Sequence, residues 1–174
     1  MAGESARWHR ALRVLIGTAI TAAVLGVIAY FAQQPFMFPS VGPTIFILFF
    51  ATMSAQAAPR NVIFGQGIGI VCGYLSLILL GLTDVAPDVV NPSSRSMISA
   101  LLALALTSFL MVGLGAVHSP AAATTLIIGL GFIRLPIHLV VLMSAIVTVI
   151  VIAYLVNRAY GLRPPLWRPV TPAA

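Results

Sequence analysis

Acidic residues are almost missing from this 174-residue chain: there are three, Glu4, Asp84 and Asp88, against nine basic ones. All three fall in segments that read as tail or loop, so no carboxylate pair is at hand for acid–base chemistry. Lysine is absent altogether, and every basic residue is an arginine. Cysteine occurs once, at Cys72 inside an apolar run. That excludes a disulfide framework or thiolate metal centre and leaves a small buried hydrophobe. HExxH, CxxC and nucleophile-elbow patterns are also missing, so neither an enzyme nor a cofactor is expected. Charged residues make up only 7% and hydrophobic ones 60%, whereas soluble domains carry about 25% and about 45–50%. The composition is that of a polytopic membrane protein whose main surroundings are the lipid bilayer. The net charge of +6 does not point to nucleic acid, because the arginines flank lipid-length segments and no aromatic-interleaved basic patch accompanies them.

Four stretches are long and apolar enough to cross a hydrocarbon core needing about 20 residues: 11–32, 62–82, 97–117 and 138–156. The first follows three arginines as a signal peptide would, but its apolar run is longer than the roughly 7–15 residues of such a region, so it reads as a retained span. Arg7, Arg10 and Arg13 at one end and Arg158, Arg163 and Arg168 at the other place both tails, 1–10 and 157–174, on the cytoplasmic side of a bacterial inner membrane. Two shorter apolar runs, 44–57 and 121–132, are too short for a comfortable crossing and read as half-helices or very short spans.

The short runs resemble each other. "PSVGPTIFILFF" and "HSPAAATTLIIG" both open on proline, serine and small residues, and an arginine turn follows each. Long helix, broken polar start, short helix, arginine turn and long helix occur twice, in halves of about 11–82 and 97–156 within a single transmembrane domain. The expected fold is therefore an all-α integral membrane protein of four long helices and two short broken ones, arranged as two internal repeats. Three crossings per half would invert the halves; two would leave them parallel. Arginine counting does not choose, since six crossings put Arg95 and Arg134 outside and four put Arg60 and Arg134 there.

Backbone broken by proline and glycine is tolerated in a membrane only where protein or a water-filled cavity surrounds it. Pro43 and Pro120 suit helix starts, with Ser40 and Ser119 near the cap positions. Each short helix would then aim free N–H groups and a positive dipole end at mid-membrane, where a small anion would bind. Ser40, Gly42, Thr44, Ser119, Thr124 and Thr125 supply hydroxyls and backbone N–H groups to such a substrate-binding site. Arg60 and Arg134 either face the cavity or anchor their helices at the headgroups. Asn61 and Gln66 would line the same path, and an amide facing lipid would go unsatisfied. His118, with an ordinary pKa near 6.5, is a candidate pH-dependent gate or proton acceptor; His138 reads as interfacial. Gly65, Gly69 and Gly73, spaced four apart, form a close-contact face either inside the chain or in a homo-oligomer. Their "GQGIG" string follows no strand and is not a nucleotide loop.

"PSVGPTIFILFF", "APRNVIFGQGIG" and "HSPAAATTLIIG" resemble, in order and spacing, the signature segments of the HPP family of small integral membrane proteins, named for a His-Pro-Pro stretch. Here that stretch reads His118-Ser119-Pro120. The resemblance implies transport of a small inorganic anion, nitrite above all, since relatives in plants and photosynthetic bacteria are connected with nitrite movement. The alternative from another class is a non-transporting membrane scaffold or assembly subunit.

Overall fold

A computed structural model describes residues 2–88 and 90–169. Among them are six α-helices: α1 (Ala2–Ala32), α2 (Val41–Phe50), α3 (Pro59–Leu79), α4 (Ser94–Gly113), α5 (Pro120–Gly129) and α6 (Pro136–Ala159), with a 3-10 turn over Ala55–Ala57 between α2 and α3. The four long helices are apolar enough to span a membrane, and the two of ten residues stand where the short runs were expected. The chain is an integral membrane protein.

Helix starts follow proline and serine chemistry. Pro59, Pro120 and Pro136 occupy first-turn positions of α3, α5 and α6, where a missing N–H costs nothing. The Ser93 hydroxyl caps α4 by accepting from the Ser96 N–H at 3.2 Å. These signals bring the long helices in two or three residues ahead of the apolar runs. Helix α1 begins further ahead still, so residues 2–10, expected as a tail, continue the first span as a polar extension. The C-terminal tail does not hang free either. Beyond α6 it folds back on α3, with the Arg60 N–H donating to the Trp167 carbonyl at 3.0 Å and the Phe64 and Trp167 rings 6.2 Å apart.

Contacts at the helix ends settle the crossings. Arg13 near the start of α1, Thr52 just past α2 and Asn157 near the end of α6 are joined: the Asn157 Oδ1 accepts from Arg13 at 3.2 Å and from Thr52 at 3.4 Å. Arg60 at the start of α3 reaches the carbonyls of Leu114 and Gly115 just past α4. All these ends share one face. At the other face Pro35, Phe38 and Pro39 of the α1–α2 linker share a pocket with Phe132, Ile133 and His138. Linkers 33–40 and 114–119 therefore carry the chain between an end of the bundle and the inner starts of α2 and α5, and with the four long helices the chain passes six times between the two ends of the bundle. Arg7, Arg10, Arg13, Arg60, Arg158, Arg163 and Arg168 lie on one face, Arg95 and Arg134 on the other.

Three crossings per half reverse the second half relative to the first. Helices α1, α2 and α6 pack together, and so do α4, α5 and α3; α3 also packs on α6 and α2 on α5. Exchanging α1 with α4, α2 with α5 and α3 with α6 leaves that set of packed pairs unchanged. Each half lends its third helix to the other, and α2 meets α5 in the middle.

The seam between α3 and α5 depends on glycine. A Cβ at Gly69 would lie 2.8 Å from the Ala121 carbonyl oxygen and from the Thr125 hydroxyl; one at Gly73 would lie 2.8 Å from the Ile128 Cβ; one at Gly65 would lie 2.8 Å from the His118 Cβ. The Gly65, Gly69 and Gly73 face is thus filled by the chain's own α4–α5 linker and α5. The intramolecular alternative is the one these contacts show.

Candidate functional site

Helices α2 and α5 leave their starts inside the bundle, and polar side chains gather between them. Ser40, Thr44, Gln66, His118 and Thr124 each have 0% of their surface exposed. His118 lies beside Gly65, six residues into α3 and so roughly 9 Å from that helix's start. An αL bend at Gly115 (φ +59°) takes the chain there from α4: the Ala116 N–H bonds back to the Met111 carbonyl at 2.9 Å, closing α4 in a Schellman turn. That bend also turns the Leu114 and Gly115 carbonyls out toward Arg60.

The bonds among these side chains run in one direction. The Nδ1 of His118 is 2.8 Å from the Gln56 backbone carbonyl, which can only accept, so Nδ1 carries the proton. Its Nε2 is 3.1 Å from the Thr44 hydroxyl and, in the neutral ring, accepts from it. The Thr44 oxygen in turn accepts from the Gln66 amide at 3.1 Å, and the Gln66 carbonyl oxygen accepts from the Thr124 hydroxyl at 2.5 Å. Four side chains from α2, α3, the α4–α5 linker and α5 thus form one unbranched, satisfied chain across the middle of the molecule. A second arrangement is open to it: the Thr44 hydroxyl also lies 3.4 Å from the Ser40 carbonyl, and donating there would free it to accept from a protonated His118. Next to this chain the Ser40 hydroxyl is buried without a hydrogen-bond partner.

The starts of the short helices differ from expectation. Helix α2 begins at Val41, two residues before Pro43, whereas Pro120 opens α5 as expected. Neither serine side chain caps its helix. The N–H and the hydroxyl of Ser119 both donate to the side-chain oxygen of Gln56, at 3.0 and 2.7 Å. The polar end of α5 is therefore already occupied, by a neutral carboxamide oxygen.

The other expected residues lie apart from this cluster. Thr125 bonds Thr107 at 2.9 Å one turn along the glycine seam. Asn61 and Arg60 close the arginine-rich face: the Asn61 amide donates to the Ala55 carbonyl at 3.0 Å and its oxygen accepts from Arg60 at 3.0 Å. Arg60 thus covers the carboxyl end of α4, where a cation is favourable, instead of standing unpaired. Arg134, beside Gly131, lies on the opposite face. The two arginines do not share a cavity, because the reversal of the halves sends their turns to opposite sides. Gly42 is exposed, with open space around it.

Gln56 was not anticipated. Its signal is faint: an amide in "SAQAAP" at the tail of the 44–57 run, whose partners Ser119 and His118 lie more than sixty positions away. Asn157, Thr52 and Arg13 were likewise invisible as a group. They tie α1, α2 and α6 at the arginine-rich face, with Asn157 also donating to the Leu48 carbonyl at 3.1 Å.

A family model described as "HPP, transmembrane region" matches residues 3–165. No curated protein and no solved structure matches the chain. The family match spans all six helices and takes in the polar cluster between α2 and α5: the chain belongs to the HPP transmembrane family.

Proposed function

We propose that this is a transport protein for a small inorganic anion, nitrite by family resemblance, acting in a bacterial inner membrane with its arginine-rich face and both termini in the cytoplasm. One observation carries the proposal: where two broken helices meet within the bundle, Thr44, Gln66, His118 and Thr124 are wholly buried yet polar. A hydrocarbon-soluble bundle gains nothing from hydroxyls and amides at that depth unless something polar passes or binds there. Hydroxyl and amide donors without a fixed charge suit a monovalent anion, held by hydrogen bonds and weakly enough to leave. The proposal assigns no catalysis and no cofactor.

The arrangement is a closed one. Every polar atom in the chain of four has a protein partner, and Gln56 fills the start of α5. This complete satisfaction is also what a scaffold or assembly subunit would show, so flux decides between them. Purified protein in liposomes is expected to pass nitrite down its gradient; the scaffold reading requires flux no greater than in protein-free vesicles.

Gln56 acts as the protein's own stand-in for the anion, at the exposed Ser119 beside the buried chain. Its carboxamide oxygen accepts the donors that an anion's oxygen would accept, and the two compete. Gln56→Ala is expected to raise nitrite affinity, by about fivefold or more for the loss of a competing bond of about 1 kcal/mol. Equal affinity in the two forms, measured by equilibrium binding, would remove Gln56 from the path.

His118 couples the site to pH. Its direct partners, Thr44 and the Gln56 carbonyl, are neutral, so a bound anion would be the nearest opposite charge and would favour the imidazolium. Binding then takes up a proton, and by linkage affinity rises as pH falls. His118→Gln is expected to flatten that dependence. Superimposable profiles for the two forms would leave His118 as a packing residue.

A further inference from the structure

Helix α1 is the most exposed of the long helices. Its main packing among the described residues is on α2 and α6, and it crosses α2 where the Phe49 ring lies against Gly17, close enough to collide with any Cβ there. On the amino-terminal side of that crossing the two helices enclose an open groove of about 670 Å³, lined by Ala6, Arg7, Arg10, Ala11, Val14, Leu15, Phe46 and Phe50. Its two ends differ in chemistry. Val14, Leu15 and the stacked rings of Phe46 and Phe50, 5.1 Å apart, make an apolar floor. Arg7 and Arg10 stand above it, one to two helical turns nearer the amino terminus.

Charge at the upper end is not balanced by protein. Arg7 lies over the Trp8 ring at 5.7 Å and has an exposed contact with Glu4 at 3.8 Å, a separation and setting in which an ion pair contributes little. Arg10 has no carboxylate partner among the described residues. Two other near-face arginines are engaged, Arg13 with Asn157 and Arg60 with the α4 carbonyls. Two adjacent guanidinium groups with a single, exposed carboxylate near them, over an apolar trough, match one class of molecule, with an anionic phosphate joined to hydrocarbon.

We propose that the α1–α2 groove is a binding site for an anionic phospholipid, with the phosphate held by Arg7 and Arg10 and one acyl chain laid along Val14, Leu15, Phe46 and Phe50. The acyl chain is in hydrocarbon whether bound or free, so its burial supplies little driving force. Selectivity comes from the headgroup. A basic residue near an anionic surface contributes about a fivefold gain in binding for each charge, and the groove adds shape by admitting a chain beside the headgroup. The bound lipid would fill the space between α1 and α2 and hold α1 to the bundle. Because α2 carries Thr44, occupancy of this groove bears on the helix that contributes to the buried polar chain. The lipid site itself does not depend on what that chain transports.

Native mass spectrometry of the full-length protein in detergent, titrated with phosphatidylglycerol or phosphatidylcholine, tests the assignment. The unsubstituted protein is expected to retain one phosphatidylglycerol in preference to phosphatidylcholine by about tenfold or more. Arg7→Gln with Arg10→Gln should abolish that preference, whereas Arg163→Gln with Arg168→Gln, an equal loss of charge elsewhere on the same face, should keep it. Ala11→Trp, which fills the trough and leaves the charge alone, should also release the lipid. Equal losses in both double arginine variants would reduce the effect to general surface charge and overturn the site. So would equal retention of both lipids, or a second copy of the chain found in the groove by cross-linking from Ala11→Cys in a Cys72→Ala background.

Discussion

Replacing Gln66 with leucine is expected to cut nitrite flux about 10- to 100-fold while leaving the helices assembled. Gln66 is the central link of the buried chain, donating to Thr44 and accepting from Thr124, and its amide is the group best placed to donate to an anion between α2 and α5. A hydrogen bond to a charged partner contributes about 1.5–3 kcal/mol, which is the stated range in rate or affinity. Leucine has a similar volume, and the Thr44 hydroxyl keeps His118 as its acceptor, so most of the packing survives. Initial flux rates, normalised to protein folded by circular dichroism and size exclusion, report the effect. An unchanged rate in a well-folded Gln66→Leu protein would place the anion's path elsewhere.

The second large effect is on stability. Gly69→Ala is expected to destabilise the protein by about 1–3 kcal/mol, the usual cost of forcing an extra methyl into a packed seam. The Ala121 carbonyl oxygen and Thr125 hydroxyl, both 2.8 Å from the new Cβ, belong to α5, whose backbone has to move away from α3. Gly67→Ala provides the contrast. It lies on the same helix, but its Cβ would meet only the end of Met143 at 3.8 Å, and alanine is the better helix former by about 1 kcal/mol. Thermal unfolding in detergent should therefore separate the two, with Gly69→Ala well below the unsubstituted protein and Gly67→Ala at or above it. Equal melting of both variants would mean that the close approach of α3 and α5 is not what holds the bundle.

Much of the fold is legible in the sequence because hydrocarbon imposes so few choices. Long apolar runs have to be helices, although Pro59, Ser93 and Pro136 bring three of them in ahead of the runs themselves, and the two short runs have to be helices packed on the rest of the chain. The number of crossings is not legible. It depends on how far linkers 33–40 and 114–119 travel, and extended backbone carries no periodic signal. The inversion that follows decides what Arg60 and Arg134 can do. Their similar surroundings in sequence suggest a shared role, yet opposite polarity places them on opposite faces.

The polar cluster divides the same way. Thr44, Gln66, His118 and Thr124 stand out because each is a polar residue where lipid would leave it unsatisfied. Gln56 lies in a short turn of small residues where an amide is unremarkable, and only the fold brings it to the start of α5. The glycine stripe is plain as spacing, but spacing does not name the partner. Ala121, Thr125 and Ile128 of α5 fill it because α5 is short, slim and on the same chain.

The most direct test asks whether the buried cluster ever meets water. Ser40 suits it, since its hydroxyl is buried and unbonded and a thiol there disturbs no hydrogen bond. In a Cys72→Ala background, Ser40→Cys in liposomes can be challenged with a charged, membrane-impermeant thiol reagent, with and without nitrite moving across the bilayer. A passage that opens between α2 and α5 predicts slow labelling at rest, at least tenfold faster labelling during transport, and protection when nitrite is saturating on both sides. No labelling from either side under any gradient, in a protein that remains folded, would contradict a passage there and leave the cluster as the polar core of a static bundle.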